Sequence, residues 1–443
     1  METPRITAGL CSTAAIRNIA AESTEPYLLL DIDSRRDTDI SPEAFARMAA
    51  VMEQTGASIV YADHLTDTPG GPIHTPYIDY RMGSVRDDFD FGPLVLVNGR
   101  MLRQAVTQIP ESYLYAGWYD VRLRLSRMGS VVRIPETLYT TTLTDTRKSG
   151  ERQFDYVSPS CADVQTEMEM ACTDHLKAIG AYLEPYVYES PDYGDGFKVE
   201  ASVIIPVRNR AHTIADAVNS ALSQQCDLPF NVIVVDNHST DGTSEILASL
   251  AAIHPALTIH TPVRTGLGIG GCWNEALNHP ACGRFAVQLD SDDLYSSGHT
   301  LSAIISRFRQ SPCAMVIGSY TLTDLSLNTL PPGVIRHSEW TDTNGRNNAL
   351  RINGFGAPRA YATAIARRMP MPDVSYGEDY AMCLQMSRLY PVGRIFDSLY
   401  LCRRWDGNSD SDLSHSRINA NNAYKDTLRT WEIKCRKQML LNK

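Results

Sequence analysis

The second half of the chain alternates short apolar runs with amphipathic segments. Four runs are nearly continuous in apolar and β-branched residues, as strands buried on both faces are: ASVIIPV, FNVIVVDN, LTIHTPV and RFAVQLD, at 201–207, 230–237, 257–263 and 284–290. The segments between them have the helical period: RNRAHTIADAVNSALSQQ, STDGTSEILASLAAIH and GIGGCWNEALNH. This alternation predicts an α/β fold, with a mostly parallel sheet covered by helices on both faces.

Polar side chains follow two of these predicted strands. Asp236 and Asn237 end the second run, and QLDSDDLY ends the fourth with the carboxylates Asp290, Asp292 and Asp293. Ligands of such sheets bind beyond the carboxyl ends of the strands. Because like charges this close repel one another, we expect a positive ligand or side chain beside them.

The first part of the chain repeats a portion of the second. Residues 115–139 align without gaps on 376–400, and ASIVYAD, 57–63, resembles CAMVIGS, 313–319. This copy has no counterpart of ASVIIPVRNR or VIVVDNHSTDGT. The sequence therefore predicts a truncated copy of the same α/β domain at the N-terminal end.

The chain length of 443 residues fits two domains better than one. Residues 182–199 are rich in Pro, Gly, Tyr and acids, which is typical of a linker. We therefore predict a truncated domain at 1–181, this linker, a catalytic domain at 200–404, and a helical extension at 405–443. The extension either packs on the domain or rests on a membrane surface.

Composition narrows the function classes. A net charge of -10 and a pI near 5.6 argue against a general nucleic-acid binder. The ten cysteines are scattered without a Cys-x-x-Cys pair, which favours reduced thiols over disulfides or zinc. No apolar run is long enough for a membrane span, and the N-terminus lacks the features of a signal peptide. The sequence predicts a cytoplasmic protein and leaves its oligomeric state open.

Four motifs occur in order between residues 200 and 405: ASVIIPVRNR, VIVVDNHSTDGT, QLDSDDLY and YGEDYAMCLQMSR. Together they resemble family 2 glycosyltransferases of the GT-A fold. The resemblance implies a nucleotide-diphosphate sugar as donor, a divalent cation, and transfer with inversion to a hydroxyl of a glycan or glycolipid acceptor. It also implies that the N-terminal copy is a GT-A-like partial domain.

The cation is the positive partner that the resemblance implies for the aspartates. Mg2+ or Mn2+ offsets charge on the leaving diphosphate and needs only one or two carboxylates, because phosphates and waters complete its shell. The resemblance implies Asp292 as the direct metal ligand, Asp290 as a second residue of the metal site that lies nearer the ribose or a metal-bound water, and Ser291 as a donor contact. A histidine near Trp405 serves some relatives, and His415 is the nearest one here. The alternatives are an acidic helix cap and an exposed histidine.

Further donor contacts follow from the resemblance. Pro206 and Arg208 stand at the turn after the first strand, Asp236 and Asn237 face the base and ribose, and Arg264 precedes a glycine-rich turn. Relatives often have two aspartates where this chain has Asp-Asn, so the base stays open between uracil and guanine. The alternative interpretations are a solvated arginine at a helix start and a simple strand-to-helix turn.

The acceptor hydroxyl must lose its proton, and a carboxylate within reach can take it. The resemblance implies Asp379 as this general base, with Glu378 orienting it or the acceptor. The alternative is that both charges complement the helix dipole. Gly354 and Gly356 would allow close backbone approach of the acceptor, and Phe355 either stacks on a sugar or belongs to the core.

Two rival functions remain. One is a catalytically inactive relative that binds a sugar or a partner, which Trp405 and the degenerate first half keep open. In that half, Gly117 and Trp118 stand at the positions of Glu378 and Asp379. The other is a nucleotidyltransferase, which is disfavoured because no Gly-rich loop with Arg and Lys follows ASVIIPV.

Overall fold

The computed structural model divides the chain into two compact units. The first comprises Met1–Tyr182, Leu350–Ile352 and Asp412–Lys443, and the second comprises Leu183–Ala349 and Asn353–Ser411. The structure describes residues 5–7, 11–33, 38–109, 112–142, 162–405, 407–408 and 413–442. The predicted linker, apart from Tyr182, thus lies within the second unit. Most of the predicted C-terminal extension belongs to the first unit, so it does not extend the catalytic domain as the sequence suggested.

The first unit contains one mixed sheet with helices around it. Its elements are β1 Arg5–Thr7, α1 Thr13–Glu22, β2 Tyr27–Asp31, β3 Thr38–Ile40, α2 Pro42–Thr55, β4 Ile59–Asp67, β5 Ile73–Thr75, β6 Leu94–Asn98, α3 Gly99–Thr107, α4 Gly117–Met128, β7 Val131–Thr142 and α5 Ala162–Ala178. The strand order is β1-β2-β6-β4-β7-β3, with β5 on β4. The β1–β2 and β4–β7 pairs are parallel and the other pairs are antiparallel.

Local signals set the ends of α2. The Ser41 hydroxyl accepts the Ala44 N–H at 3.2 Å, Pro42 occupies the first turn, and Gly56 ends the helix in the left-handed conformation, with φ +66°. Each feature satisfies or avoids an unpaired backbone group at a helix end. The buried residues Met48 and Met52 of this helix then pack on one face of the sheet.

The second unit contains the larger sheet. Its elements are β8 Ala201–Val207, α6 Ile214–Leu222, β9 Phe230–Asp236, α7 Thr243–Ala251, β10 Leu257–His260, α8 Ile269–Asn278, β11 Phe285–Gln288, β12 Leu294–Tyr295, α9 Thr300–Gln310, β13 Met315–Thr323, β14 Thr329–Ile335, α10 Gly345–Asn348, β15 Arg359–Ala362, α11 Thr363–Ala366, α12 Glu378–Leu389 and β16 Val392–Arg403. The strand order is β10-β9-β8-β11-β15-β13-β16-β12, with β14 on β13.

The four strands predicted from apolar runs are confirmed and form one parallel ladder, β10-β9-β8-β11. Beyond it, β15 runs antiparallel to both β11 and β13, while β13 and β16 are parallel again. The first predicted helix begins later than the pattern suggested, at Ile214, because residues 208–213 form turns. The mixed α/β class is as the sequence predicted.

The predicted internal repeat is visible in both sheets. The gap-free alignment pairs α4 with α12 and β7 with β16 end to end. The order β2-β6-β4-β7 has the same strand directions as β11-β15-β13-β16. One detail corrects the sequence analysis: β1 pairs parallel with β2 as β8 does with β11. A three-residue counterpart of ASVIIPV therefore exists.

The last helix, α13 His415–Leu441, is capped by the side chain of Ser414 and belongs to the first unit. Its Asp426 and Arg429 are fully buried and pair with each other at 2.9 Å, and Asp426 also meets Arg86 at 3.3 Å. Buried charges such as these require partners, so this network ties the helix to its unit. No described helix is both long and apolar enough to cross a membrane.

Candidate active site

The aspartate turn after β11 is held by the last strand of the second sheet. The Asp290 N–H donates to the Tyr400 hydroxyl at 2.9 Å, and the Asp293 Oδ1 accepts the Arg403 N–H at 2.7 Å. Arg403 also donates from its side chain to the Asp292 carbonyl. Because Tyr400 and Arg403 lie on β16, strand pairing fixes the conformation of the turn.

Asp292 receives its hydrogen bonds on one carboxylate oxygen. Oδ2 accepts Trp405 Nε1–H at 3.3 Å and Asn408 Nδ2–H at 3.1 Å, and Arg210 Nε lies 3.9 Å away. Trp405 and Asn408 thus occupy the region where the sequence analysis sought a metal-ligating histidine. His415 instead belongs to the first unit, where its Nε2–H donates to the Pro76 carbonyl at 2.7 Å.

The surroundings of the other two carboxylates, Asp290 and Asp293, disfavour their ionised forms. Burial, with the charges of Asp290 and Asp292, raises the pKa of Asp293 well above its usual value, and desolvation also raises the pKa of Asp290. A divalent cation would relieve this repulsion. No three His, Cys, Asp or Glu side chains among the described residues are placed to share a metal ion. A hard cation held at this turn would have to draw most of its ligands from phosphate and water.

Gln288 and Arg359 connect this turn with the start of α12. The Gln288 Nε2 donates to both oxygens of Asp290, at 3.0 and 3.1 Å, and its Oε1 accepts the Arg359 N–H at 3.1 Å. The Arg359 Nη1 lies 3.0 Å from the Asp379 Oδ2. Asp290 and Asp379, from two separate motifs, are therefore brought into one site.

Glu378 and Asp379 have different surroundings although they are neighbours. Asp379 is paired with Arg359, and its Oδ1 accepts the Tyr380 N–H at 2.7 Å. Glu378 is 8% exposed, and burial followed by the charge of Asp379 raises its pKa to about 8. Its Oε2 is buried without a hydrogen-bond partner among the described residues. Burial thus favours the protonated form of Glu378, whereas Asp379 is the member of the pair that is bonded to Arg359.

The end of β9 contributes Asp236 and Asn237. The Asp236 Oδ1 accepts the Ser239 N–H at 3.0 Å and its Oδ2 accepts the Ser244 hydroxyl at 2.5 Å, as a strand-to-helix turn requires. The Asn237 Nδ2 donates to the Leu267 carbonyl at 2.8 Å, whereas its Oδ1 is buried without a partner among the described residues. Beside them lies a cavity of about 440 Å³, lined by residues of α7, β10 and this turn.

The remaining donor-side candidates are less directly placed. Pro206 lies on β8 opposite Val235, and Arg208 is exposed in the following turn. Arg264 makes an ion pair with Asp373, whose Oδ1 also accepts the Gly268 N–H at 2.7 Å. Arg264 therefore helps to hold the glycine-rich turn while its side chain stays 67% exposed.

Ser291 takes part in the aspartate turn through its backbone. It is 8% exposed, and its carbonyl accepts the Thr213 hydroxyl at 3.0 Å. This bond ties the turn to the residue before α6, so Ser291 fixes the position of its two flanking aspartates.

The loop predicted to face the acceptor is partly a core segment. Phe355 is 2% exposed and its ring lies 5.5 Å from that of Trp340 and 5.8 Å from that of Tyr380. The structure therefore supports the core alternative for Phe355, not stacking on a sugar. Gly356 has φ +74°, and a Cβ there would lie 2.0 Å from His337 Nε2, so only glycine fits. Gly354 has open space around it.

Among the residues at this site that were not identified from the sequence are Gln288, Arg359 and Asn408. Gln288 is a polar interruption of an apolar run and shares a strand face with Asp290. This was a usable signal. Arg359 and Asn408 meet the carboxylates only through strand pairing and a loop after β16, and no local pattern encodes either contact.

Comparison with known proteins agrees with this geometry. The family model described as Glycosyl transferase family 2 matches residues 202–369. An uncharacterized glycosyltransferase of Bacillus subtilis, YfnE, is 40% identical over 96 residues, which are 22% of this chain and 24% of that relative. The chain thus matches about a quarter of the length of YfnE. The Escherichia coli β-1,3-glucosyltransferase WfgD is 25% identical over 236 residues, covering 52% of this chain and 84% of WfgD.

Solved structures similar to this chain include Staphylococcus aureus TarS 1-349 in complex with UDP-GlcNAc. It is 20% identical, with a TM-score of 0.41, over 54% of this chain and 72% of that one. The mannosyltransferase PcManGT of Pyrobaculum calidifontis, in complex with GDP-Man and Mn2+, is 18% identical, with a TM-score of 0.38, over 64% and 85%. The family match identifies residues 202–369, which lie within the second unit apart from Leu350–Ile352, as a family 2 glycosyltransferase domain.

Proposed function

We propose that this glycosyltransferase moves a sugar with inversion from a UDP- or GDP-sugar to a hydroxyl of a glycan or glycolipid, with Mg2+ or Mn2+ at Asp292. The observation that carries the proposal is the chain of contacts that brings Asp290 and Asp379 together. A donor-side acidic turn and an acceptor-side carboxylate in one site are what a single displacement needs.

The residues have distinct roles in this reaction. Asp379 takes the proton of the acceptor hydroxyl, whose oxygen forms the new bond to the anomeric carbon as the bond to the diphosphate breaks. The nucleoside diphosphate leaves with the electron pair of that bond. A cation held by Asp292 would stabilise the charge that develops on the diphosphate. Because the pKa of Glu378 is raised to about 8, its carboxyl adds no second negative charge beside Asp379 at neutral pH.

Asn237 supports a uracil or guanine base. Its Nδ2 donates to the Leu267 carbonyl, so the Oδ1, which is buried in this structure, is the atom left to accept a hydrogen bond from a base, as an aspartate oxygen would. Uracil and guanine present ring N–H donors on their pairing edge, whereas adenine and cytosine present ring acceptors there. The substitution of Asn for the usual Asp therefore preserves the hydrogen-bond pattern.

The relatives support the acceptor class. WfgD is named as a UDP-Glc:α-D-GlcNAc-diphosphoundecaprenol β-1,3-glucosyltransferase. We propose that this protein likewise acts on a lipid-linked or polymeric glycan, at the cytoplasmic face of a membrane. No transmembrane segment is needed for such peripheral contact.

The function is tested by nucleotide release from a panel of UDP- and GDP-sugars with Mn2+. We expect release from one sugar nucleotide class, stimulated by an acceptor glycan and abolished by EDTA. ADP- and CDP-sugars serve as controls. Adenine and cytosine present a ring acceptor on the pairing edge, so they cannot donate a hydrogen bond from that position to the Asn237 Oδ1. Mn2+-dependent nucleotide binding without turnover on any acceptor would instead support the inactive, sugar-binding alternative.

Glu378 gives a pH prediction. Because its pKa is raised to about 8, it gains charge above that pH, beside Asp379. We expect the turnover of the native chain to fall as pH rises past about 8, and Glu378→Gln to keep near-native turnover at pH 7 while losing this alkaline limb. The pKa of Glu378 is lower in the unfolded chain than in the folded chain. The free energy of unfolding of the native chain should therefore fall, relative to that of this variant, as the pH rises from about 5 to 8.

The measurement is kcat against pH for both proteins, with thermal midpoints at the same pH values. Glu275→Gln is a suitable control, because Glu275 is a partly exposed glutamate on α8 that pairs with His260. An alkaline limb that is unchanged in Glu378→Gln would contradict the role assigned to this residue.

A further inference from the structure

We propose that Gln288 and Arg359 are positioning residues that fix the separation between the donor-side carboxylate Asp290 and the acceptor-side base Asp379. This inference rests on the proposed function and adds to it two residues that touch neither substrate. They lie on β11 and β15, the adjacent strands at which the parallel half of the sheet meets the antiparallel strand.

Strand register places the two residues together. The β11–β15 ladder pairs Ala286 with Tyr361 and Val287 with Ala360, so Gln288 falls opposite Arg359 at the end of the ladder. The Arg359 N–H completes this position by donating to the Gln288 side chain at 3.1 Å. The Gln288 side chain, not the main chain of β11, thus accepts the hydrogen bond of the Arg359 N–H at this end of the ladder.

The Gln288 amide has only one orientation that satisfies its neighbours. Its oxygen must face the Arg359 N–H, and its NH₂ must face the Asp290 carboxylate. The NH₂ lies within hydrogen-bond distance of both oxygens of that carboxylate. The side chain is 4% exposed, so water cannot easily replace either bond. Gln288 therefore orients the Asp290 carboxylate from the strand that precedes it.

Arg359 performs the corresponding task for Asp379. Its guanidinium lies 3.0 Å from Asp379 Oδ2 and also donates to the Gly356 carbonyl, and its side chain is 14% exposed. Both contacts are made by Nη1, whose direction is set by the rigid plane of the guanidinium; a lysine ammonium has no such plane to set its direction. The base is thereby held by the same residue whose backbone binds Gln288.

Several acidic side chains lie near Asp379, and the positive charge of Arg359 offsets their negative charge. Glu378 lies beside it on α12, Asp290 is near both Arg359 and Glu378, and Tyr361 and Cys383 complete the buried surroundings. Arg359 is the cation in this group that is bonded to Asp379. A positive charge at 3.0 Å favours the ionised carboxylate, which is the form able to accept a proton.

The arrangement determines where the base stands relative to the anomeric carbon. The donor is placed by the aspartate turn, the acceptor proton is taken by Asp379, and Gln288 with Arg359 joins the two. A misplacement of about 1 Å in such a geometry can cost on the order of 100-fold in rate. Substitution here should therefore affect turnover much more than nucleotide binding.

The test uses the full chain with Arg359→Gln, Arg359→Lys and Gln288→Met, and measures kcat, KM, the pH profile and Mn2+-dependent nucleotide binding by calorimetry. For Arg359→Gln we expect nucleotide Kd within about twofold, kcat lower by on the order of 100-fold, and an acid limb displaced to higher pH by about one unit or more. Arg359→Lys should keep the acid limb near its native position and still lose turnover. Gln288→Met should lower kcat by about tenfold.

Arg309→Gln is the matched control, because Arg309 also forms an ion pair in this unit, with Glu200 at 2.9 Å, and should leave every parameter unchanged. Native kcat and an unmoved acid limb in Arg359→Gln would overturn the inference while leaving the transferase function intact. If Arg359→Gln does not fold, native turnover in Arg359→Lys would overturn it. Absence of sugar transfer by the native chain would reject the proposed function, and this inference with it.

Discussion

Replacement of Asp379 by Asn should lower kcat by about 10²–10⁴-fold while leaving the nucleotide Kd within about twofold of the native value. Asparagine keeps the size of the side chain and its hydrogen bond from the Tyr380 N–H, but it cannot take the acceptor proton. Only the chemical step should therefore suffer. The measurement is steady-state transfer to an acceptor glycan, with nucleotide affinity measured in parallel by calorimetry.

Asp397→Asn provides the control for this variant, since Asp397 is an exposed aspartate of the same unit on β16. It should behave as the native chain in both measurements. If Asp379→Asn transferred sugar at the native rate, Asp379 could not be the base, and Glu378 would become the carboxylate to examine at alkaline pH.

Replacement of Asp292 by Asn should abolish the dependence of nucleotide binding on Mn2+ and lower turnover by more than the roughly 10–100-fold that loss of an outer partner of a metal typically costs. The amide oxygen can still accept from Trp405 and Asn408, so the loop after β16 should keep its place. What is lost is the negative charge that a hard cation requires.

The decisive comparison is the nucleotide Kd with Mn2+ and with EDTA, for the native chain and for Asp292→Asn. We expect a large difference in the native chain and little in the variant, with Asp397→Asn retaining the native difference. A native chain whose nucleotide affinity and turnover ignore EDTA would contradict the metal assignment. In that case Arg210, 3.9 Å from Asp292, would be the nearest positive charge to consider.

The parallel half of the second sheet was predictable because its strands are buried on both faces, and their apolar runs leave no other interpretation. The same apolar runs also predicted the positions of the two polar clusters at the edge of the sheet, Asp236–Asn237 and Asp290–Asp293, because each cluster directly follows a run. The antiparallel insertion of β15 was not predictable, since RAYA is short and its partners lie more than 40 positions away along the chain. For the same reason the contact of Arg359 with Gln288 could not be read from the sequence.

Burial of charge explains the other differences. The last helix, α13, has a polar sequence, and its placement with the first unit depends on Asp426 and Arg429 being buried against Arg86. A pattern of apolar positions cannot reveal a core made of paired charges. Phe355 shows the opposite case, because a phenylalanine between two glycines suits an exposed platform and a core equally until its neighbours are known.

Both units share four strands of the sheet. In the first unit the short β1 extends these strands beyond β2, whereas in the second unit three longer strands, β8, β9 and β10, extend them beyond β11. Under the proposed function, the strands that carry Asp236 and Asn237 and the segment that carries Asp379 are therefore separate parts of the sheet that evolution can exchange independently. A duplicated acceptor half, once released from nucleotide binding, is constrained only by its own packing, and Gly117 and Trp118 in place of Glu378 and Asp379 fit such a history. For protein engineering, the junction between β8 and β11 is accordingly the natural place to graft donor strands from another transferase.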